Sequence, residues 1–555
     1  MGDNNQTMEA EKSALTIPQL FSETLRKHGK SNAYAFVGEE PITFEEAYRQ
    51  ISAVSAFLAA NGINKGDKVA ILSANMPNWA IAYFAITFMG AVVVPVLPDF
   101  SVTEVANVLE HSEARAMFVS SGLVAKVEGT QSAALRTAIQ IEDFSFIFSD
   151  PTAVPFNASA IHSYDYTVDE EDLASIIYTS GTTGRSKGVM LTHKNISYDA
   201  LKGRVVHYLD ENDRFLSVLP LSHTYENTLG LILPMLCASS VYYLRKPPTP
   251  SVLLPALELV RPTAMLTVPL IIEKVYYGKV LPTFNEKKVL SLLYKVSFIR
   301  KLLNKAAGKK LHKTFGGEIR FFGIGGAKLN REVERFLREA KFPYAIGYGL
   351  TETAPLIAGC GPKITVFEST GPAIEGVQLK INNPDRKTGE GEIWAKGPNV
   401  MKGYYKDPEM TAEVLTPDGW FKTGDLGSFD SKNNLFIKGR LKNMIVGASG
   451  ENIYPEEIES VINNIRFVVE SLVIQQKGKL VAYVHLNMEE LEKKYNNLRQ
   501  DMSEKFDEKK EEILDEIKDY VNSQVSKFCQ INKVVLQPVP FQKTATLKIK
   551  RFLYT

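Results

Sequence analysis

The chain has 555 residues, of which 45% are hydrophobic and 23% are charged, and its formal net charge is +1 at pH 7. That length exceeds what a single hydrophobic core usually supports, so we expect a large body of more than one subdomain and a smaller additional domain. The balanced charge gives no reason to expect nucleic acid as a partner. Three dispersed cysteines without CxxC spacing argue against a disulfide framework or a zinc cluster.

The N-terminal segment, residues 1–15, is expected to be flexible. Its sequence, MGDNNQTMEAEKSAL, carries acids and amides where a signal peptide has a basic region and a long apolar core. Export by a signal peptide is therefore not expected. Together with the sparse cysteines, this favours a cytoplasmic protein.

An uncharged run of about twenty residues, WAIAYFAITFMGAVVVPVLP, begins at Trp79 and is long enough to be tested as a membrane span. Gly90 and Pro95 interrupt it. We predict a buried helix that ends near Met89 and a short strand over Ala91 to Val96, because this pattern suits an α/β domain better than a membrane helix.

Short β-branched runs alternate with helix-like stretches through the first 430 residues, which predicts an α/β fold with layered sheets and helices. These runs are KVAILSA, AMFVSS, SIIYTS, RFLSVLP, SSVYYL, AMLTVP and IRFFGIG. The sequence pattern then becomes that of an α+β fold. The runs VESLVIQQ and KLVAYVHL resemble paired strands, and a charged helical stretch follows from Glu489 to Lys527. We predict an N-terminal domain over 16–440 and a small, mobile C-terminal domain over 441–555.

One stretch is strongly basic. Between Lys274 and Lys313 there are eleven Lys or Arg residues and one acid, Glu286, while apolar residues recur at helical spacing. Those apolar residues are Val289, Leu292, Leu293, Val296, Ile299 and Leu303. One interpretation is a surface helix with a buried apolar stripe. The other is a patch that rests on anionic lipid, with the protein peripheral on the inner face of a membrane.

The run TSGTTGRSK, residues 179–187, lies between two strand-like runs and has the composition of a loop for phosphate oxygens. Glycines allow neighbouring N–H groups to converge on an anion, hydroxyls add donors, and a lysine adds charge. The candidate phosphate ligands are Thr179, Ser180, Gly181, Thr182, Thr183, Gly184 and Lys187. The run is not the mononucleotide loop GxxxxGK[ST], because Lys187 follows Gly184 by three residues and precedes a glycine.

Five separated phrases together resemble the adenylate-forming superfamily of acyl-CoA synthetases, adenylation domains and luciferases. They are YTSGTTGRSKGVMLTH at 178–193, GYGLTETAP at 347–355, GWFKTGDLG at 419–427, IKGRLKNMIVGASGENIYPEEIE at 437–459 and KTATLKIKR at 543–551. Their order and spacing match over nearly the whole chain. Two further phrases, LPLSHTYE at 219–226 and DLASIIYTSGTTG, look most like long-chain fatty-acid CoA ligases.

The resemblance implies a two-step reaction that uses ATP, Mg²⁺ and CoA. A fatty-acid carboxylate attacks the α-phosphorus of ATP to give acyl-AMP and pyrophosphate, and the CoA thiol then attacks the acyl carbon and releases AMP. Physically, the first step brings two anions together, so cations and aligned N–H dipoles have to offset their charge. The loop at 179–187 would hold the departing pyrophosphate.

The resemblance also implies roles around the nucleotide. Glu352 and the Thr179 hydroxyl would contact Mg²⁺, Thr351 would donate to the α-phosphate, and Tyr348 would stack on adenine, with Gly349 beside it in the nucleotide site. Three small residues, Gly325, Gly326 and Ala327, would allow the backbone to approach adenine closely.

Two further residues are expected at the ribose. Asp425 would accept hydrogen bonds from the ribose hydroxyls, and Arg440 would add a cation near the ribose and the α-phosphate. In each of these phrases, an ordinary turn or helix cap is the alternative interpretation of a single residue taken alone.

The second step is implied to need a rotation of the C-terminal domain about a hinge at Lys442. The catalytic lysine of the first step corresponds to Lys548, with Lys550 as the alternative. Leu547 stands where relatives usually have a glycine before that lysine, so the loop geometry here departs from the family pattern.

His223 is expected near the carboxylate end of an acyl channel, where it would position or gate the substrate, with Glu226 orienting it. The alternative is a hydrogen-bonded histidine with a structural role only. The apolar stretch 227–244 would line one side of the channel or belong to the ordinary core. Medium-chain and aryl acids stay open as substrates.

Two alternatives to a CoA ligase remain. One is an adenylating enzyme that loads its acyl group onto the phosphopantetheine of a carrier protein. The other is a catalytically silent, nucleotide-binding regulatory relative. The silent relative is disfavoured because the expected functional residues are all retained: Thr179, Lys187, Glu352, Asp425, Arg440 and Lys548.

Overall fold

The computed structural model describes residues 15–130, 132–164, 167–179, 186–285, 288–447, 452–465, 467–494, 503–544 and 549–554. The predicted flexible segment 1–15 thus lies outside the described residues except for Leu15. The strands of the described residues are β1 Asn32–Phe36, β2 Ile42–Thr43, β3 Lys68–Leu72, β4 Val92–Val96, β5 Ala116–Val119, β6 Thr137–Gln140, β7 Phe146–Phe148, β8 Leu173–Thr179, β9 Lys187–Thr192, β10 Arg214–Ser217, β11 Ser240–Tyr243, β12 Ala264–Thr267, β13 Phe321–Ile324, β14 Tyr344–Gly349, β15 Leu356–Gly359, β16 Gln378–Asn382, β17 Gly391–Lys396, β18 Gly403–Tyr404, β19 Phe421–Phe429, β20 Leu435–Arg440, β21 Ile445–Val446, β22 Asn452–Ile453, β23 Val468–Gln476, β24 Lys479–Leu486 and β25 Lys533–Leu536.

The α-helices are α1 Ile17–His28, α2 Phe44–Ala60, α3 Pro77–Phe88, α4 Val102–Ser112, α5 His193–Val206, α6 Thr224–Asn227, α7 Leu233–Leu236, α8 Pro250–Val260, α9 Pro269–Val275, α10 Leu281–Asn285, α11 Lys288–Tyr294, α12 Ser297–Thr314, α13 Arg331–Glu339, α14 Pro408–Val414, α15 Pro455–Ile462, α16 Met488–Lys494 and α17 Ser503–Gln524. The predicted strand runs all form strands, and the charged stretch after Glu489 contributes most of α16 and α17.

Two large, mostly parallel sheets form the body. One has the order β15-β14-β13-β12-β10-β11-β1-β2 and the other has the order β18-β9-β8-β4-β3-β5-β6-β7. The inner strands pair in parallel, whereas antiparallel strands such as β15 and β9 lie towards the edges. In sheets of this kind, ligands bind beyond the carboxyl ends of the parallel strands.

The uncharged run at Trp79 forms α3 and β4, as predicted. Every residue from Trp79 to Phe88 is buried, and all five residues of β4 are buried in the middle of the second sheet. The run is therefore core. No helix in the described part of the chain combines the length and the apolar character that crossing a membrane requires.

The C-terminal region has its own small sheet, β23-β24-β25, in which β23 pairs with β24 as predicted. The pairing is antiparallel. A separate hydrophobic cluster, running from Ile453 to Val534, packs this sheet against α15 and α17. The predicted domain boundary at 440/441 falls between β20 and β21. The fold class expected from the sequence, a layered α/β body with a smaller α+β unit, is confirmed.

The expectation of a buried apolar stripe in the basic stretch is wrong. Val289, Leu292, Leu293 and Val296 are exposed, while Ile299 and Leu303 are only partly buried. The reason is that α12 turns a different face inward, built from Asn304, Gly308 and Leu311.

Candidate active site

Thr179 and Lys187 form the base of the candidate phosphate loop. Thr179 ends β8, Lys187 begins β9, and the two are direct partners in the antiparallel register. Ser180, Gly181, Thr182, Thr183 and Gly184 lie outside the described residues. The Lys187 ammonium stands 5.0 Å from the centroid of the Tyr404 ring, so its charge is held beside this loop by a cation–π contact.

Tyr404 also connects the loop to Glu352. Its hydroxyl donates a hydrogen bond of 2.9 Å to Glu352 Oε1, and Met401 N donates 2.8 Å to the Glu352 carbonyl. Burial, together with the nearby Glu352 carboxylate, raises the pKa of Tyr404. The phenol therefore stays protonated as a donor, and Lys187, Tyr404 and Glu352 form one connected group.

This group fits a magnesium ion that arrives with ATP. Mg²⁺ prefers hard oxygen ligands, retains several waters, and is commonly held by one or two carboxylates together with substrate phosphates. Glu352 supplies one carboxylate, whose Oε1 accepts the bond from Tyr404 and whose Oε2 accepts no hydrogen bond from any described residue, and Thr179 supplies a hydroxyl. Among the described residues, no group of three or more His, Cys, Asp or Glu forms a closed metal cage.

The backbone around Glu352 is held by an unusually close chain crossing. A Cβ on Gly349 would lie 1.7 Å from the Pro355 carbonyl oxygen, so this position has no room for a side chain. The same oxygen accepts a hydrogen bond from Leu350 N at 3.1 Å. Gly349 thus fixes the turn that presents Thr351 and Glu352.

A buried pair behind this turn was not found from the sequence. Asp199, fully buried on α5, accepts hydrogen bonds from Leu356 N at 3.2 Å and from Asn399 Nδ2 at 3.3 Å. Asn399 Nδ2 also donates to the carbonyls of Thr353 and Leu356, at 2.9 and 2.8 Å. Burial raises the pKa of Asp199. A lone Asp within a helix and a lone Asn 200 residues later carry no local signal of this contact.

Tyr348, Asp425 and Arg440 form a second connected group. The Tyr348 hydroxyl donates 2.7 Å to Asp425 Oδ2, and Arg440 Nε lies 2.8 Å from Oδ1 of the same carboxylate. The pairing of Asp425 with Arg440 follows from the register of β19 and β20, in which the two are direct partners. Burial and the Asp425 charge raise the pKa of Tyr348. Phrases from three parts of the sequence therefore meet at one carboxylate.

The small residues Gly325, Gly326 and Ala327 follow the carboxyl end of β13, an inner strand of the first sheet. Gly326 has φ +83°, a conformation that favours glycine, and Gly326 and Ala327 are exposed. A Cβ on Gly325 would lie 3.1 Å from the Tyr225 ring. These residues are open to a ligand on one side and backed by an aromatic ring on the other.

His223 caps helix α6, where its Nδ1 accepts a hydrogen bond of 3.3 Å from Tyr225 N. The Glu226 carboxyl, which was expected to orient His223, instead accepts 2.6 Å from Ser217 Oγ. Asn75 Nδ2 donates to the same Ser217 Oγ at 2.9 Å and to the Leu219 carbonyl at 2.6 Å. Glu226 therefore secures the strand that leads into the His223 loop.

Glu226 is itself unusual. Its side chain is buried, burial raises its pKa to about 8, and its Oε2 has no hydrogen-bond partner among the described residues. A Cβ on Gly230 would lie 2.7 Å from its carboxyl carbon, so Gly230 leaves just enough room for the acid. A buried carboxyl without a cation is favoured in its neutral form.

An apolar cavity of about 40 Å³ lies beside Tyr225. Its walls come mainly from α5, the turn after α6, and strands β13 and β14, and they include Val206, Leu229, Leu266, Gly323 and Gly347. The cavity is thus continuous with the elements that carry His223 and the small residues after β13. Its lining includes part of the apolar stretch that was expected to form an acyl channel.

Two lysines of the C-terminal side, Lys442 and Lys548, are predicted as the hinge and the catalytic lysine. Lys442 is exposed, in the turn Leu441–Asn443 between β20 and β21. Lys548 lies outside the described residues. The flanks of its segment are held within the C-terminal unit, since Phe541 N donates 2.8 Å to Glu470 Oε1 and Arg551 pairs with Glu459.

The chain is similar to known proteins over most of its length. The model of the AMP-binding enzyme family matches residues 21–405. A long-chain-fatty-acid–CoA ligase of Mycobacterium bovis is 31% identical, over 92% of this chain and 90% of its own length. A long-chain-fatty-acid–[acyl-carrier-protein] ligase of Arabidopsis thaliana is 28% identical, over 86% of this chain and 77% of its own.

A solved structure shares the fold. The o-succinylbenzoate coenzyme A synthetase from Bacillus subtilis, in complex with ATP and magnesium ion, has a TM-score of 0.75 at 24% identity, and 96% of this chain and 98% of that chain are covered. The match extends through the C-terminal unit. From the family match and the relatives together, the chain belongs to the AMP-binding, adenylate-forming enzyme family.

Proposed function

We propose that this protein is an ATP-dependent, AMP-forming ligase that activates a long-chain fatty acid as acyl-AMP and transfers the acyl group to CoA. The observation that carries the proposal is the contact series Lys187–Tyr404–Glu352, which joins the base of the phosphate loop to the turn at 347–355. The long-chain acid is supported by the name of the relative from Mycobacterium bovis.

In the first step, a carboxylate oxygen of the acid bonds to the α-phosphorus of ATP while the bond from that phosphorus to the bridging oxygen breaks. Pyrophosphate leaves with its electron pair. Lys187 and the loop N–H groups offset the charge of the leaving group, and Thr351 donates to the α-phosphate. Mg²⁺, when bound at Glu352 and Thr179, supplies further positive charge at the phosphates.

The Tyr348–Asp425–Arg440 group holds the AMP half. Asp425 is oriented from one side by the Tyr348 hydroxyl and from the other by Arg440, so its carboxylate has a fixed position for two ribose hydroxyls. In the proposed complex the Tyr348 ring stacks on the adenine, and the small residues Gly325, Gly326 and Ala327 allow the backbone to approach the adenine closely. A carboxylate fixed in this way loses little conformational entropy on binding.

The second step requires a change of domain orientation. In the described orientation, Tyr454 donates 2.7 Å to Glu390 and Lys328 pairs with Glu457 at 3.1 Å, both across the predicted boundary. Both contacts are polar and one is an exposed ion pair, so they are weak enough to break. Rotation at Lys442 withdraws Lys548 and admits the CoA thiol. The thiol sulfur bonds to the acyl carbon, the bond from that carbon to the phosphate oxygen of AMP breaks, and the thiol proton is released to solvent.

The acyl chain enters the apolar cavity beside Tyr225. A volume of about 40 Å³ is far below that of a drug-sized pocket, so a long chain has to displace part of the lining. Side-chain movement of Tyr225, Leu229 and Leu266 provides that room. Each buried methylene then contributes about 0.8 kcal/mol, which favours long acids.

The second candidate keeps adenylation and replaces CoA with the phosphopantetheine of a carrier protein. It is favoured by the relative named as a ligase for long-chain fatty acids and acyl-carrier protein. Both acceptors present the same thiol, so the two candidates differ only in what surrounds it.

A panel of acids from acetate to oleate, with aryl acids included, tests the proposal by AMP release in the presence of CoA or of a carrier protein. We expect oleate with CoA to give the highest kcat/KM. Release of AMP only with the carrier protein would support the second candidate, and the absence of release with every acid and acceptor would contradict both.

A further inference from the structure

Helices α11 and α12 expose a continuous set of large apolar side chains. The exposed fractions are 70% for Val289, 65% for Leu292, 39% for Leu293, 50% for Val296, 72% for Phe298 and 54% for Leu302. We call these residues, with the lysines described below, the basic apolar face. Scattered exposed apolar residues are ordinary, but six within fourteen residues on one helical hairpin mark a surface that contacts something.

The inner side of the same hairpin packs against α13, and these contacts fix the orientation of the hairpin. Arg300 pairs with Glu339 at 2.9 Å, and Asn304 Nδ2 donates 2.8 Å to the same carboxylate. A Cβ on Gly308 would lie 2.4 Å from the Ala340 carbonyl oxygen, which shows how closely α12 approaches the end of α13. The apolar residues of the outer side therefore cannot turn inward without breaking these contacts.

The outer side is also basic. Phe298, Leu302, Lys305 and Lys309 follow the spacing i, i+4, i+7, i+11, which places them along one helical face. Lys295, Lys301 and Lys310 are exposed close to them in sequence. No acid occurs between residues 288 and 317. None of these five lysines forms an ion pair with a carboxylate in the described part of the chain, in contrast to Arg300 on the inner side.

A partner for this face has to be apolar and anionic at the same time. A second copy of the chain would bring lysines against lysines, which like-charge repulsion disfavours. An anionic bilayer meets both requirements, since Phe and Leu enter the boundary between headgroups and acyl chains while lysines extend to lipid phosphates. We propose that the basic apolar face docks the protein peripherally on an anionic lipid bilayer.

Flotation of the full chain with vesicles tests this proposal without acid, ATP or CoA, so its outcome is independent of the proposed function. We expect binding to phosphatidylcholine vesicles that contain phosphatidylglycerol, little binding to pure phosphatidylcholine, and a decrease with rising salt. The double variant Lys301→Glu/Lys305→Glu should bind at least about tenfold more weakly. The variant Phe298→Ser/Leu302→Ser should lose binding even at low salt.

Matched controls use exposed residues far away in sequence. Ile161→Ser/Val205→Ser removes side chains that are 85% and 67% exposed, and Lys479→Glu/Lys533→Glu reverses two exposed lysines of the C-terminal sheet. Both controls should bind vesicles like the unaltered chain. Equal binding to vesicles with and without phosphatidylglycerol would overturn the proposal. An equal loss of vesicle binding in the variants and the controls would overturn it as well. So would a dimer in sedimentation that Phe298→Ser/Leu302→Ser dissociates, because the occupant would then be a second copy.

Discussion

The two parts of the candidate site, the proposed nucleotide end and the proposed acyl end, are built in different ways. At the nucleotide end, partly exposed ionic groups such as Lys187, Glu352 and Arg440 are held by one or two identifiable partners each. At the acyl end, a buried neutral acid and an apolar cavity are surrounded by core residues. Chemistry that handles phosphate needs particular residue types, whereas a chain of methylenes needs only shape. Changes at the first end should therefore affect every acid equally, and changes at the second should alter the choice of acid.

Among variants at residues that the structure describes, the largest effect is expected from Glu352→Gln. Removal of the charge should weaken the magnesium site and lower kcat/KM for adenylation by about 100-fold, to a similar extent for short and long acids. Steady-state kinetics over a magnesium titration measures this. Glu375→Gln, at an exposed glutamate paired with Lys202, is the matched control and should leave kcat/KM and its magnesium dependence unchanged. An unchanged magnesium requirement in Glu352→Gln would remove the metal role.

A smaller loss is expected from Tyr348→Phe. The variant keeps the ring and removes one hydrogen bond to Asp425, which is worth about 1.5–3 kcal/mol for a charged acceptor. We expect the KM for ATP to rise about tenfold while the KM for the acid stays constant. If the KM for oleate rose instead, the two ends of the site would not be separable at this residue.

A selective effect is expected from Gly323→Ala at the acyl end. The added methyl would meet Leu266, Phe321 and the Tyr225 hydroxyl at 2.9 to 3.1 Å, all of them side-chain ends that line the cavity. We expect kcat/KM to fall several-fold for oleate and less for short acids, with the KM for ATP unchanged. Gly278→Ala, where a Cβ meets nothing within 4 Å, is the control. Equal losses for all acids would place the acyl chain elsewhere.

The smallest effect on turnover is expected from Glu226→Gln, which replaces a neutral acid by a neutral amide and should keep activity within about twofold. The main effect of this variant is expected on the pH dependence of the free energy of unfolding. The folded protein holds the Glu226 proton up to a pKa of about 8, whereas the unfolded chain releases it near 4.5. The contribution of Glu226 to stability is therefore greatest below pH 4.5 and is lost as pH rises to about 8.

Denaturant unfolding at several pH values measures this difference. Relative to the unaltered chain, Glu226→Gln should gain roughly 3 kcal/mol between pH 5 and pH 8. The neighbouring tyrosines, Tyr225 and Tyr243, stay protonated over this range and are present in both proteins. Glu334 and Glu459, whose pKa values are raised to about 7, titrate in both and cancel. A pH-independent difference would mean that Glu226 is already charged.

Several residues predicted for the nucleotide end contact one another in the structure, and they lie in short phrases that tolerate few alternatives. Their roles toward ATP stay a prediction. The register of β19 and β20 then brings Asp425 to Arg440, and a glycine without room for a Cβ fixes the turn at Glu352. The strands of the body were equally clear, since buried parallel strands read as continuous β-branched runs.

The rest depends on contacts between residues far apart in sequence. Asp199 accepts a hydrogen bond from Asn399, which lies 200 residues later, and Glu226 accepts one from Ser217. Neither contact is encoded in the local sequence pattern. The prediction that the apolar stripe of the basic stretch is buried is wrong for the same reason. Helical spacing shows which residues share a face, but the Arg300–Glu339 pair and the close approach at Gly308 decide which face is buried.

The most direct measurement of the central claim is exchange of labelled pyrophosphate into ATP, which reports the first step alone. The account predicts exchange that requires both a fatty acid and Mg²⁺, and that falls at least about 100-fold in Lys548→Ala. Exchange that proceeds without any acid, or none with any acid from acetate to oleate, would contradict it.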